Sequence, residues 1–250
     1  MKIALLSDIH GNSVALDTVL ADIQAQGGVD GYWVLGDLVA IGHDPVGVLE
    51  RLAALPNARF VRGNTDRYVY AGDRPAPSLA QSALDPKLLP ILVEVAGSMA
   101  WTQGALTANG WVEWLAQLPL EIEETLPDGT RFLGVHAAPA TDEGDGLAPP
   151  MDDEEIGRIL QGCRAELIAV GHTHRPLNRR VGQWHVVNLG SLSNPQLTES
   201  DKRASYVLLT ADRAGYQVEH RRVTYDRAAV IAALERQRHP GAAYIVRHMR

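Results

Sequence analysis

The first 62 residues alternate short apolar runs with amphipathic stretches, and this alternation restricts the fold more than any other feature of the chain. Lys2–Ser7 reads as a buried strand. Ser13–Gln26 reads as a helix, with Val14, Leu16, Val19, Leu20 and Ile23 at helical spacing. Asn12 or Ser13 can cap its start, and Gly27–Gly28 can end it. Tyr32–Leu35 is a second strand. Asp44–Pro45 is a cap and first-turn pair for a helix to about Leu55, and Ala58–Arg62 is a third strand. This βαβαβ order predicts a parallel sheet with helical crossovers.

The remainder changes character twice. Pro75, Pro77, Pro86 and Pro90 interrupt the start of residues 67–118, and Leu106 and Trp111–Leu118 look helical, so this stretch is expected to be an inserted helical cap. Leu120–Leu126 and Thr130–His136 flank Pro127-Asp128-Gly129, a hairpin turn signal. Asp152 opens a short helix to about Gln161, with acidic residues suited to its first turn. Leu167–Val170, Trp184–Val187, Ser205–Thr210 and Tyr216–Arg222 read as strands, and Asp226 caps a last helix to about Arg238. No Gly/Ser linker divides residues 1–250, so one α/β domain with an insertion is expected.

Polar residues fall just after these strands. Asp8 and His10 follow the first, Asp37 the second and Asn64 the third. His136 ends the hairpin, and His172 and His174 follow Leu167–Val170. Ligands in open α/β sheets bind beyond the carboxyl ends of strands, so seven side chains from five segments can converge. They offer two carboxylates, four imidazoles and one amide oxygen. Residues two apart on an extended segment point the same way, so Asp8 with His10, and His172 with His174, can each aim at one centre. Seven ligands exceed the four of a structural zinc site and suit two metals with positions left for water and substrate. Imidazole ligands favour manganese, iron, zinc, cobalt or nickel over magnesium or calcium.

Composition excludes several other classes. A hydrophobic fraction of 46% and a charged fraction of 21% are those of an ordinary globular protein. The longest apolar run, Ala228–Leu234, is far short of the roughly 20 residues that span a membrane. Lys2 is followed by four apolar residues before Ser7, too few for a secretory signal. The single cysteine, Cys163, permits no internal disulfide and reads as a core residue. A cytoplasmic protein is therefore expected. Net charge is −7, but residues 201–250 hold ten Lys/Arg against five Asp/Glu. The acidic remainder argues against general duplex binding. The basic segment, with Arg221, Arg222, Arg236 and Arg238, reads as a solvated face.

Asp8-Ile9-His10, Gly36-Asp37, Gly63-Asn64-Thr65-Asp66, Val135-His136 and Gly171-His172-Thr173-His174 resemble the five ordered motifs of calcineurin-like metallophosphoesterases. The small bacterial and archaeal phosphodiesterase-like branch is the nearest match. Asn188-Leu189-Gly190-Ser191 also looks like that family's segment after the last metal motif. The resemblance implies a four-layer αββα sandwich of two mixed β-sheets flanked by helices. It implies one divalent metal on Asp8, His10 and His174, a second on Asn64, His136 and His172, and Asp37 bridging. Manganese is the first expectation, and iron, nickel, zinc or cobalt are alternatives. The implied reaction is hydrolysis of a small or nucleotide-like phosphoester, first a diester, by a metal-bridging hydroxide.

One position departs from the family pattern. Many members have a histidine where Thr65 stands, and a hydroxyl does not titrate near neutral pH. His43 is a candidate substitute proton donor, Arg67 a candidate phosphate ligand, and Asp66 a candidate to orient Asn64 or His10. Trp101, Trp111 and Trp114 can stack on a base but suit a core equally. Phosphomonoesterase or phosphoprotein phosphatase activity on the same fold is the alternative reading, and a non-catalytic metal-binding scaffold is another. His-x-His also occurs in amidohydrolases and metallo-β-lactamase-like enzymes. The latter continue with an Asp-His pair where this chain has Pro176-Leu177. Nothing in the sequence sets the oligomeric state.

Overall fold

The computed structural model describes residues 1–193 and 201–249. The opening alternation is β1 (Lys2–Leu6), α1 (Ser13–Ala25), β2 (Gly31–Leu35), α2 (Pro45–Ala53) and β3 (Ala58–Val61). β1 pairs with β2, and β2 with β3, in parallel. Asn12 caps α1 by accepting from Ala15 N at 3.0 Å, and Asp44 caps α2 by accepting from Gly47 N at 3.0 Å.

Four helices and a 3-10 turn (Pro86–Leu88) follow: α3 (Asn64–Ala71), α4 (Leu79–Leu84), α5 (Leu89–Ala108) and α6 (Val112–Ala116). The sequence reading missed α3, which begins at the candidate ligand Asn64 itself. Pro90, expected to interrupt this stretch, sits in the first turn of the 20-residue α5. Proline is tolerated there because the first-turn N–H groups have no helical partner.

The rest comprises β4 (Glu121–Thr125), β5 (Arg131–Val135), α7 (Asp153–Ile159), β6 (Leu167–Val170), β7 (Leu177–Val181), β8 (Trp184–Asn188), β9 (Ala204–Asp212), β10 (Gly215–Val223), α8 (Arg227–Arg236) and α9 (Ala242–Met249). β4 and β5 form the expected antiparallel hairpin. β7 was not legible: it is an edge strand whose Asn178 and Arg180 are exposed, leaving only Leu177 and Val181 as buried apolar anchors.

Two mixed five-stranded sheets result, ordered β10-β9-β1-β2-β3 and β4-β5-β6-β8-β7. Alternation along β1 shows how they stack. Ile3 and Leu5 point into the layer between the sheets, with Trp33, Phe132, Leu167 and Val187. Ala4 and Leu6 point the other way, into a core shared with α1, α2, α5 and α8. The second sheet buries its outer face, including Val135, Ile168 and Val170, under Ile156 of α7. Strands buried on both faces read as unbroken apolar runs, and each such side chain contributes about 1.5–3 kcal/mol. The polar residues therefore begin where the strands end. The architecture is the expected four-layer αββα sandwich.

Met99, Leu106, Leu115 and Leu118, from the segment expected to be a cap, join the core that holds α1 and α2. Trp111 and Trp114 pack against that core, edge to face at 5.7 Å, and Trp101 stands against His239 at 4.5 Å. Among the described residues, no helix is long and apolar enough to cross a membrane.

Candidate metal centre

The seven candidate ligands meet at one edge of the sandwich, and both sheets supply them. Asp8, His10, Asp37 and Asn64 follow β1, β2 and β3 of the first sheet, while His136, His172 and His174 follow β5 and β6 of the second.

The ligand atoms fall into two groups. In one, His10 Nε2 lies 3.1 Å from His174 Nε2, and His174 Nε2 lies 3.0 Å from Asp8 Oδ1. In the other, Asn64 Oδ1 lies 3.1 Å from both His136 Nε2 and His172 Nδ1, which are 3.3 Å apart. Asp37 stands between, with Oδ2 3.7 Å from His10 Nε2 and Oδ1 3.5 Å from His136 Nε2. One atom from each of Asp8, His10, Asp37 and His174 can be chosen so that all lie within 4.8 Å of one another.

Carbonyl oxygens fix three of the rings. His10 Nδ1 donates to Ala40 O at 3.0 Å, His136 Nδ1 to Leu35 O at 2.8 Å, and His172 Nε2 to Gly144 O at 2.8 Å. A carbonyl only accepts, so each neutral ring directs a lone pair inward. With the rings neutral, imidazole lone pairs, the Asn64 amide oxygen and the carboxylates of Asp8 and Asp37 all face one another, and Asp8 Oδ1 meets His174 Nε2 at 3.0 Å. This donor set fits divalent cations.

The electrostatics agree. Burial alone would raise the Asp37 carboxyl, but His136 and His10 outweigh it and hold Asp37 well below the usual carboxylate range. Burial likewise opposes ionisation of Asp8, and the facing His174 and His136 reverse it. Burial pushes His10 down to about 4. It opposes the charge of His136 too, but there Asp37 wins and raises the ring to about 10.

The backbone differs from the extended geometry expected of Asp8–His10 and His172–His174. Asp8, His10, Asp37, His172 and His174 all have positive φ, between 49° and 65°. Left-handed backbone is uncommon for non-glycine residues, so these loops hold each side chain at the cost of local strain. The neighbouring glycines have a different cause. A methyl group on Gly63 would overlap the Asp37 carboxylate, and one on Gly171 would overlap Ser7 and Asp8.

The remaining candidates are placed otherwise. Asp66 is fully buried, and its hydrogen bonds go to backbone N–H groups rather than to the Asn64 side chain or His10. Its carboxylate accepts from Leu38 N and Gly63 N, both at 2.9 Å, and so ties the Asp37 loop to the start of α3. Burial, and then Asp37, raise its carboxyl to about 7. His43 makes no hydrogen bond to the seven: its Nε2 lies 3.3 Å from Ser13 Oγ, and its Nδ1 is buried without a partner. Arg67 is held by carboxylates, with Nε 3.1 Å from both oxygens of Asp142, Nη2 2.6 Å from Glu143 and Nη1 3.3 Å from Asp73. Thr65 is buried, and its backbone N–H donates to Asp37 Oδ1 at 2.9 Å.

The resemblance marks Asn188 and Ser191 without a role, and nothing in the sequence points to Tyr68, Asp142 and Glu143; the structure shows that all of them brace the loops. Asn188 donates to the carbonyls of Gly171 and Leu147, and Ser191 Oγ donates to Asp8 O at 3.0 Å. Asp142 and Glu143 precede Gly144, the carbonyl that orients His172. They are latched to α3 through Arg67 and the Tyr68 hydroxyl. No local motif marks the Arg67 and Tyr68 contacts, which join segments 75 or 76 residues apart.

A sequence profile of the calcineurin-like phosphoesterase superfamily domain matches residues 1–214. An uncharacterized protein of Methanocaldococcus jannaschii is 30% identical over 242 residues, covering 90% of this chain and 88% of its own. A symmetrical bis(5'-nucleosyl)-tetraphosphatase of Serratia proteamaculans is 29% identical over 175 residues. That alignment covers 68% of this chain but only 50% of the tetraphosphatase. Another, from Erwinia tasmaniensis, is 42% identical over 76 residues and 28% of its own length. The crystal structure of a metallophosphoesterase from Sphaerobacter thermophilus superposes with a TM-score of 0.75 at 25% identity, covering 99% of this chain and 97% of that one. A hypothetical protein from Pyrococcus horikoshii shares the fold with a TM-score of 0.79 at 23% identity, covering 100% and 98%. With its five ordered motifs gathered at one edge of the two-sheet sandwich, the chain belongs to the calcineurin-like phosphoesterase superfamily and is a metallophosphoesterase.

Proposed function

We propose that the protein is a dinuclear metal-dependent phosphodiesterase acting on a small, nucleotide-like substrate. The observation that carries this reading is the pair of acceptor groups with one Asp37 oxygen turned toward each. Asp8, His10 and His174 would hold one divalent ion, Asn64, His136 and His172 the other, and Asp37 both. The mixed carboxylate and imidazole set suits manganese first, with iron, nickel, zinc or cobalt as alternatives. When bound, such ions supply Lewis acidity toward phosphoryl oxygens and lower the pKa of an attacking water.

The chain itself supplies position. Phosphoryl transfer is catalysed chiefly by orientation and charge stabilisation, and the carbonyl-locked rings are fixed before substrate arrives. On this reading neither buried Thr65 nor His43, buried against Ser13, supplies a proton to a leaving group. This favours anhydrides and aryl diesters, whose phosphate or phenolate leaving groups need less assistance than a simple alkoxide. The tetraphosphatase names of two relatives support a nucleotide substrate. Arg67 and Tyr68, from the segment 67–118, reach the loop over His172, which makes that segment a candidate pocket wall.

The test uses chelator-stripped protein with manganese, nickel, zinc or magnesium restored singly. Hydrolysis of an aryl phosphodiester is compared with that of the matching monoester. Metal-dependent turnover favouring the diester is expected. Monoester preference would overturn the diesterase assignment. Metal binding without any turnover would favour a scaffold.

A further inference from the structure

The two rims of the centre treat their arginines differently. On the Asn64 side, Arg62 and Arg67 meet Asp142, Glu143 and Asp73, so two cations face three carboxylates. On the His174 side, a narrow cleft is lined by His174, Ser191, Asp201, Arg203 and Arg222 among others. There both arginines converge on Asp201. Arg203 binds it bidentately, Nε to Oδ1 at 2.9 Å and Nη2 to Oδ2 at 2.7 Å, and Arg222 Nη1 reaches Oδ2 at 2.7 Å. The sequence had suggested Arg67 for phosphate and Arg222 for a solvated face. Arg67 is held among carboxylates, whereas Arg222, 41% exposed, lines the cleft with the candidate ligand His174.

We propose that Arg203 and Arg222 form a second-phosphate subsite, which takes the phosphate adjacent to the scissile one in a polyphosphate-containing nucleotide. The proposal rests on the phosphoesterase reading above and names its substrate class. Three observations support it. Two guanidinium groups clasping one anion, one of them as a fork, is the geometry arginine uses for phosphate as for carboxylate. The cleft touches His174 directly, and Ser191 ties it to the Asp8 loop through the Asp8 carbonyl, so a phosphate there neighbours one held at the centre. The free volume is about 20 Å³, room for about one water. An incoming phosphate therefore replaces the Asp201 carboxylate. Arg203 and Arg222 are 49% and 41% exposed, and ion pairs so exposed contribute little, so the exchange is easy.

The test is calorimetric binding of tripolyphosphate and of orthophosphate to metal-replete protein. Wild type should prefer tripolyphosphate by about tenfold or more, the worth of one or two charge-assisted hydrogen bonds. The double variant R203Q/R222Q should lose that preference while keeping orthophosphate affinity and metal content. D201N should strengthen tripolyphosphate binding. An unchanged preference in the double variant, or weaker tripolyphosphate binding in D201N, overturns the subsite. Turnover of an aryl phosphodiester, which has no second phosphate, should be the same in wild type and the double variant, and an equal loss there would also overturn it. If wild type cleaves no phosphoester at all, the enzymatic reading fails on that assay, while the binding comparison still decides the subsite.

Discussion

His10 and His174, 164 residues apart in sequence, bring their Nε2 atoms to 3.1 Å. The His10 ring already donates its other N–H to Ala40 O. Neutral His10 therefore offers only a lone pair to its partner, and a shared proton or a cation must lie between them. His136 differs: its Nδ1 is likewise committed to Leu35 O, but the facing Asp37 raises the ring, so without metal it keeps a proton on Nε2 as well.

The first prediction concerns stoichiometry. Wild type should bind two divalent ions, and Asp37→Ala should lower both the stoichiometry and the turnover, the latter by at least about 100-fold, because even outer contacts to metal ligands are worth 10–100-fold. Elemental analysis after dialysis, with turnover in parallel, reads the outcome. Two tightly held ions in the variant would remove Asp37 from the bridging position.

Metal binding should release a proton. Without metal, His136 titrates at about 10 and is charged at pH 7.5, whereas a ligating imidazole is neutral. His10, at about 4, is already neutral and releases none. Apparent metal affinity should therefore rise with pH up to about 10, by up to tenfold per unit for one proton. Calorimetry in buffers of different ionisation enthalpy counts the proton. A count of zero at pH 7.5 would contradict the assignment.

Asp66 should act through the backbone. Asp66→Ala leaves the N–H groups of Leu38 and Gly63 without their acceptor, at a cost of about 1–3 kcal/mol each if they stay buried. Chemical denaturation measures this, and metal affinity should fall with it. A variant of wild-type stability would show that the two loops are held by other contacts.

Arg67 should matter for position rather than charge on substrate. Arg67→Ala frees the loop carrying Glu143 and Gly144, and so loosens the carbonyl that orients His172. Turnover should fall by about tenfold, with KM little changed, as for loss of an outer contact. Stability should fall by about 1–3 kcal/mol, since Asp142 is buried and loses one of its two arginine partners. A rise in KM with unchanged turnover would instead return Arg67 to phosphate binding.

A last prediction concerns acid. Burial lowers His239 from 6.5 to about 4. Its folded pKa is depressed, so above 6.5 the ring is neutral in both states and contributes no pH dependence. As pH falls from 6.5 to 4, only the unfolded chain takes up the proton, and stability is lost across that window. Denaturation midpoints of wild type and His239→Asn should converge at low pH. Parallel curves would show that other groups govern the acid limb.

The βαβαβ start was legible because both faces of β1 and β2 are buried, which leaves apolar runs ending at Asp8 and Asp37. The seven candidate ligands were legible because each follows a strand. β7 was hidden by its exposed Asn178 and Arg180, and α5 by a proline that suits a first turn. The true partners of Asp66, His43 and Arg67 depend on contacts between distant loops, for which the chain carries no periodic signal. The left-handed backbone at Asp8 and His10 was equally invisible, since neither residue type demands it.

Asp8 and His10 hang from one sheet and His174 from the other, so an ion held among them would fasten a seam that the strands leave unpaired. Its loss should then be felt as a change of the whole molecule's endurance. Holoprotein should resist heat and protease better than stripped protein, by about 1.4 kcal/mol for each tenfold of free metal above its dissociation constant. Metal supply would thereby set how long each copy survives, as well as how fast it works.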